Sequence, residues 1–203
     1  MGVFNYLIMN KTSVTRCPIS FIGKKLNLSK LNLILNYHDF RWCKPLHNDD
    51  ELFAMLCLEI MQAGLQWQLI LEKEKYIRKA FDNFKIQHVA NYGNDKIKNL
   101  KNNSKIIKNE LKIKAIVNNA KILLQIQEEF GSFDSYIWKF TKNKIIDHKL
   151  LTSENMPVKN KISEKVSTEL KKRGFKFIGS VIVYSFMQSI GIFNDHYLFC
   201  SFR

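Results

Sequence analysis

Glu59 is a lone carboxylate in the apolar stretch Leu52 to Trp67. That stretch reads as a mostly buried helix, with Asn48, Asp49 and Asp50 as its N-terminal cap and Gly64 as its stop. At helical spacing Glu59 neighbours Met55, Leu56, Gln62 and Ala63, none of them positive. It also lies near the C-terminal end, where the helix dipole disfavours an anion. An acid placed against both rules serves a group outside its own helix. That group is either a bound ligand or a distant Lys or Arg.

A second group suits a metal. His196 and Cys200 are four residues apart, so a helix or tight turn lets both reach one ion. Cys17 and His38 can complete a tetrahedral Cys2His2 set. The alternative is a core histidine beside a free buried thiol. A third group is aromatic: Tyr37 and Trp42 in Tyr37-His38-Asp39-Phe40-Arg41-Trp42, and Trp67 after Gln66. Rings beside a lone carboxylate suit a flat, cationic ligand. Plain core packing is the other reading. The fourth group is Leu170-Lys171-Lys172-Arg173-Gly174-Phe175-Lys176-Phe177-Ile178-Gly179. One helix ends at Gly174 and another starts soon after, so free amides and Lys171, Lys172, Arg173 and Lys176 can grip a DNA phosphate. A solvated basic turn would look the same.

These residues need a helical frame. The apolar spacing predicts helices over 48–63, 66–82, 93–102, 106–128, 132–141, 163–173 and 176–190. A short strand is expected at Leu33-Ile34-Leu35, and a linker at 152–161. Residues 1–30 read as a basic, partly disordered extension, and 31–203 as one domain of two helical lobes. Gly and Pro, at 8 and 3, are too scarce for a turn-dense β fold. With 46% hydrophobic and 25% charged residues, the composition is that of an ordinary globular protein. The net charge of +14 points to a polyanion, nucleic acid before anionic membrane, although a genome biased toward Lys, Asn and Ile also raises it. No run reaches the ~18 apolar residues of a membrane span. Four scattered Cys and no signal peptide at Met1 to Met9 lead us to expect a reducing cytosol.

Several of these motifs carry a resemblance. Tyr37-His38-Asp39-x-x-Trp42-x-x-Pro45, Leu52-Phe53-x-Met55-x-Cys57-Leu58-Glu59-x-x-Gln62-Ala63-Gly64-Leu65-x-Trp67, the Lys171 to Gly179 turn, Tyr184-Ser185-Phe186-Met187-Gln188 and Asn194-Asp195-His196-x-x-x-Cys200 occur in order over about 34–200. Together they are similar to the DNA-3-methyladenine glycosylase I family. The resemblance implies an all-α, two-lobed helix-hairpin-helix fold with one structural zinc, and removal of N3-methyladenine from alkylated double-stranded DNA. It places Glu59 on the base-recognising glutamate and Tyr37, Trp42 and Trp67 on the base pocket. His38, His196 and Cys200 fall on zinc ligands, and Gly174 to Gly179 on the DNA-gripping hairpin.

The chain departs from the pattern in places. An ungapped match puts Lys25 at the fourth zinc ligand; Cys17, in Thr15-Arg16-Cys17-Pro18, has the ligand's usual setting but needs an insertion before His38. Ile60 and Met61 replace smaller or polar residues, which is expected to tighten the pocket. Glu110 and Leu111 stand where Arg and Gly are common, exchanging a DNA-facing positive charge for a negative one. Only three residues follow Cys200, so the end of the site is expected to fray. No residue is assigned as a Lys nucleophile or as an aspartate supporting the sugar cation. The expectation is a monomeric, monofunctional glycosylase without lyase activity. The alternatives are a noncatalytic DNA-binding or damage-sensing protein on the same fold, and a zinc hydrolase with an open metal position.

Overall fold

The computed structural model describes residues 14–18 and 27–203. Most of the extension expected at 1–30 lies outside these residues. The described chain is mostly helical, with α1 Leu28–Phe40, α2 Asp49–Gln62, α3 Trp67–Ala80, α4 Ile86–Ala90, α5 Asn94–Asn102, α6 Glu110–Phe130, α7 Phe133–Trp138, α8 Lys161–Lys172 and α9 Ser180–Ser189. Two short strands, β1 Ile146–Asp147 and β2 Phe193–Asn194, pair in parallel.

The centre is α2. Every residue from Leu52 to Met61 is buried, so this helix is apolar on all sides and packs on α3, α6, α7 and α9. Its start corrects the expected cap. Asn48 alone caps α2, accepting from the Glu51 N–H. Asp49 instead accepts from the amides of Phe133 and Asp134 at the start of α7. Asp50 accepts from Ile86 N–H at the start of α4. Two acids in one helical turn thus cap two other helices and orient them on the core.

The strand expected at Leu33-Ile34-Leu35 is part of α1. Asn27 caps that helix by accepting from Lys30 N–H, and Ile34, Tyr37 and His38 form its buried i, i+3, i+4 face. A three-residue apolar run resembles a strand, but Leu33 points to solvent and only Ile34 is buried. The helix expected from 106 starts at Glu110, behind the cap residue Asn109. Its apolar stripe of Ile113, Ile116, Val117, Ala120 and Leu123 is buried as the spacing predicts. The helix expected from 132 to 141 is α-helical to Trp138 and then tightens into a 3-10 turn. The second helix of the hairpin begins at Ser180 rather than 176, leaving 174–179 as the turn. Helix α4 was not expected, because five residues are too short for a periodic signal.

The C-terminal tail does not fray. Ser201 N–H donates to the Thr15 carbonyl at 2.8 Å, and Lys44 Nζ to the Phe202 carbonyl at 2.6 Å. Arg203 pairs with Asp147.

Candidate active site and metal centre

Glu59 lies in the last turn of α2, 4% exposed. Among the described residues its carboxyl has neither an ion pair nor a hydrogen bond, so no distant Lys or Arg explains it. Burial alone raises its pKa from the ordinary 4.5 to about 8. Tyr37, close enough to feel the Glu59 charge, meets Trp67 with ring centroids 5.1 Å apart. Tyr37 reaches the site from α1, and its phenol is pushed well up by burial and next by the nearby Glu59 charge. Trp67 opens α3, and its Nε1 is a buried donor without an acceptor among the described residues. An orphaned buried donor costs about 1–3 kcal/mol. Three elements therefore bring together an unpaired acid, two aromatic rings and an unsatisfied N–H.

Trp42 sits elsewhere. It stacks on His38 at 5.7 Å, meets His196 edge-on at 4.7 Å, and packs against both the main core and the smaller apolar cluster around Cys17.

A glutamate network flanks Tyr37. Arg41 donates two hydrogen bonds to Glu74, each 2.8 Å, and lies 5.3 Å from the Tyr37 ring centroid. Arg78 bridges Glu74 and Glu51. These cations are neutralised locally, which leaves Glu59 as the unmatched acid.

Cys17, His38, His196 and Cys200 come together, with ligand atoms all within 4.8 Å of one another and all four residues buried. Lys25 lies outside the described residues. Cys17 reaches the cluster through 14–18, a segment held by Arg16, whose side chain clasps Asp39 at 2.7 Å. Asp39 in turn accepts from His38 Nδ1 at 2.7 Å, which leaves His38 Nε2 facing the Cys200 Sγ at 3.8 Å. His196 Nε2–H donates to the Trp42 carbonyl at 3.2 Å, which leaves Nδ1 near Cys17 Sγ and Cys200 Sγ at 3.5 and 3.4 Å. Each imidazole thus has its outward nitrogen fixed by an acceptor and its inward lone pair free. That is the arrangement of a ligated histidine. Burial also lowers the pKa of both histidines, His196 to about 4, so both are neutral. Two sulfurs and two imidazoles converging within 4.8 Å of one another fit a tetrahedral thiophilic metal.

The segment carrying His196 is pinned by Asp195, which is fully buried and accepts from Tyr184 Oη, Gln188 Nε2 and His148 Nδ1 at 2.6, 2.6 and 2.5 Å. Sequence reading missed His148, since no spacing links it to a partner 47 residues away.

The basic turn is built on α6. Gly174, at φ +94°, ends α8, and the Gly174 and Phe175 amides close on the Lys171 and Leu170 carbonyls. Gly179 precedes α9 without a side-chain cap, so the first amides of α9 are open. Lys171 and Lys176 are exposed and have no ion pair among the described residues. Lys172 pairs with Glu169. Arg173 is engaged by Glu129 in a double hydrogen bond of 2.6 and 2.9 Å, so its charge is met locally.

Lys112 is the other residue missed. It is 5% exposed, and its Nζ donates to the carbonyls of Met61 at 2.9 Å and Ala63 at 2.6 Å. A cation at the C-terminal end of α2 offsets the helix dipole and satisfies two carbonyls next to the turn that leads to Trp67. Ile60 and Met61 are wholly buried in the core. Glu110 is held between Lys101 and Lys114, at 2.5 and 2.8 Å, so its negative charge is met locally.

The family described as methyladenine glycosylase matches residues 28–203. The DNA-3-methyladenine glycosylase of Haemophilus influenzae is 37% identical over 182 residues, 90% of this chain and 94% of that protein. DNA-3-methyladenine glycosylase 1 of Escherichia coli K12 is 37% identical over 168 residues, 83% of this chain and 90% of that protein. A crystal structure of a 3-methyladenine DNA glycosylase I superposes with TM-score 0.84 at 33% identity, covering 92% of this chain and 98% of that one.

Proposed function

The chain belongs to the methyladenine glycosylase family, and from that premise we propose that it excises 3-methyladenine from alkylated DNA by hydrolysing the N-glycosidic bond. The observation that carries this reading is Glu59, an unpaired buried carboxyl beside two aromatic rings.

A base inside a duplex is out of reach, so the lesion nucleotide is extruded into the pocket. N3-methyladenine is cationic and its glycosidic bond is already weak, so the leaving group needs no proton. The protein's task is to hold the cation and exclude neutral bases. Glu59, as a carboxylate, accepts from the base edge and balances its charge. Tyr37 and Trp67 cover the base; a cation over an aromatic face contributes roughly 0.5–2 kcal/mol. The orphaned Trp67 N–H finds its acceptor on the bound nucleotide. Trp42 forms the wall between pocket and metal cluster.

The two-lobed helix-hairpin-helix arrangement, a single domain from about residue 31, belongs to this proposal. The open amides after Gly179, with Lys171 and Lys176, grip a backbone phosphate, while Lys172 beside them pairs with Glu169. Arg173 and Gly174 shape that turn. Cys17, His38, His196 and Cys200 would hold one zinc ion, which would tie the 14–18 segment to α1 and the C-terminal tail. With four protein ligands it has no open position for a reacting water. Lys112 does not act as an amine nucleophile, because its ammonium is committed to two carbonyls. This supports a monofunctional reading. No described helix is long and apolar enough to cross a membrane; the unpaired thiols suit a reducing cytoplasm, and one DNA groove requires only a monomer.

The test is to incubate methylated duplex DNA with the protein and with its Glu59→Ala variant and to quantify free 3-methyladenine by chromatography. Release by the parent alone is expected. A folded parent that releases nothing would favour a noncatalytic DNA-binding protein on the same fold.

A further inference from the structure

A cationic concavity lies outside the pocket and adjoins the hairpin turn at Arg173. It is a cleft of about 470 Å³ lined by Tyr136, Lys139, Phe140, Lys142, Lys165, Glu169 and Arg173. Four of these residues are cations and one is an acid. The acid is engaged already, since Glu169 pairs with Lys172. Arg173 is paired as well, with Glu129, so the uncompensated charge of the cleft is that of the three lysines. Lys139, Lys142 and Lys165 are exposed and have no ion pair among the described residues.

The cations are placed rather than loose. Lys165 in α8 and Arg173 at that helix's C-cap, two turns on, both line the cleft. Lys142, in the left-handed conformation at φ 56°, closes the 3-10 turn by donating its N–H to the Lys139 carbonyl at 3.0 Å. The Lys139 ammonium lies 3.9 Å from the Phe130 centroid and 4.2 Å from that of Tyr136. The Arg173 guanidinium covers the same two rings at 5.0 and 5.1 Å. Two like charges therefore share one pair of rings, and Arg173 accordingly adds to burial in lowering the pKa of Lys139.

Concave, unbalanced positive charge concentrates an anion. The rings are not free platforms, because Tyr136 is 2% exposed and lies behind Lys139 and Arg173. The cleft therefore presents charge rather than an open ring face, which suits phosphates better than a stacked base. Arg173 lines the cleft and immediately precedes Gly174 of the basic turn, so the two surfaces are continuous.

We propose that the cleft between α7 and α8 binds the backbone phosphates of duplex DNA flanking the segment gripped by the hairpin. This rests on the DNA-directed function above.

The experiment measures binding of unmethylated duplex DNA against salt concentration for the protein, for K142Q/K165Q, and for a charge-matched control, K75Q/K79Q on exposed lysines of α3. Each phosphate contact contributes about 0.9 to the slope of log affinity against log salt. The expected result is a slope smaller by about 1–2 in K142Q/K165Q and little changed in the control, with the saturated rate of base release retained. An unchanged slope, or an equal drop in the control, overturns the proposal. Absence of base release by the parent would instead overturn the glycosylase reading, while the slopes would still report on the cleft.

Discussion

Asn119 holds Lys176 by both of its main-chain polar groups: the amide side chain donates to the Lys176 carbonyl at 3.0 Å and accepts from the Lys176 N–H at 2.8 Å. Asn119 is fully buried in α6, and Lys176 lies in the basic turn between α8 and α9. The turn's shape is therefore set by a helix that precedes it by more than fifty residues. Asn118 adds a bond to the Gly174 carbonyl at 3.0 Å, and Ser167 one to the Ile178 carbonyl at 2.7 Å. Asn119→Ala should destabilise the fold by about 1–3 kcal/mol, the cost of unpaired buried groups. It should also weaken DNA binding evenly across sequences while binding of free 3-methyladenine is unchanged. Anisotropy titrations with duplex and with free base check this; undiminished DNA affinity would show that the turn keeps its shape without Asn119.

Glu59→Gln keeps the shape of the side chain and removes its charge. Base release should fall by at least about 100-fold, within the range seen when a positioned electrostatic group is lost. Nonspecific DNA affinity should stay within about twofold, given that hairpin phosphate contacts supply it. Parallel loss of both would make Glu59 a structural residue.

The pH dependence follows from the same carboxyl. Its folded pKa of about 8 stands above the ordinary 4.5, so the free protein carries the neutral acid at neutral pH. A cationic base favours the carboxylate, so kcat/KM should rise with pH through about 8, and this limb should vanish in Glu59→Gln. Stability runs the opposite way. The raised pKa stabilises the fold fully below about 4.5, and that contribution is lost as pH rises through 8. Thermal melts across this window should show the parent losing stability relative to Glu59→Gln; parallel curves would contradict the burial argument.

The Cys2His2 cluster predicts one zinc per chain in protein purified without added metal. Cys17→Ser should lower the zinc content and cost several kcal/mol of stability, since the ion joins three separate segments. Elemental analysis with thermal melts decides it. A folded, metal-free parent would remove the site.

Lys112 predicts a split between variants. Lys112→Met leaves the Met61 and Ala63 carbonyls without their donor and should loosen the turn to Trp67, lowering the rate of base release by roughly tenfold or more. Lys112→Arg, which keeps charge and donors, should recover much of it. Borohydride should trap no covalent complex with DNA in any of the three proteins.

The sequence was enough to establish the buried helix around Glu59, the periodic stripe of α6, the all-helical class and the family. Apolar spacing and ordered motifs are local signals, and a chain displays them before it folds. It also supplied three of the cluster residues by motif and spacing. It could not decide between Cys17 and Lys25, because an insertion hides the register; packing of residues 14–18 against Asp39 and the C-terminal tail brought Cys17 into the cluster. Nor could it say that Asp49 and Asp50 cap α7 and α4, that Arg173 pairs with Glu129, or that Lys112 closes the end of α2. Those pairings join residues 36 to 85 positions apart, or depend on which way a helix face points. Whether a charge is free for DNA or consumed inside the protein is settled only when the partner helix is in place.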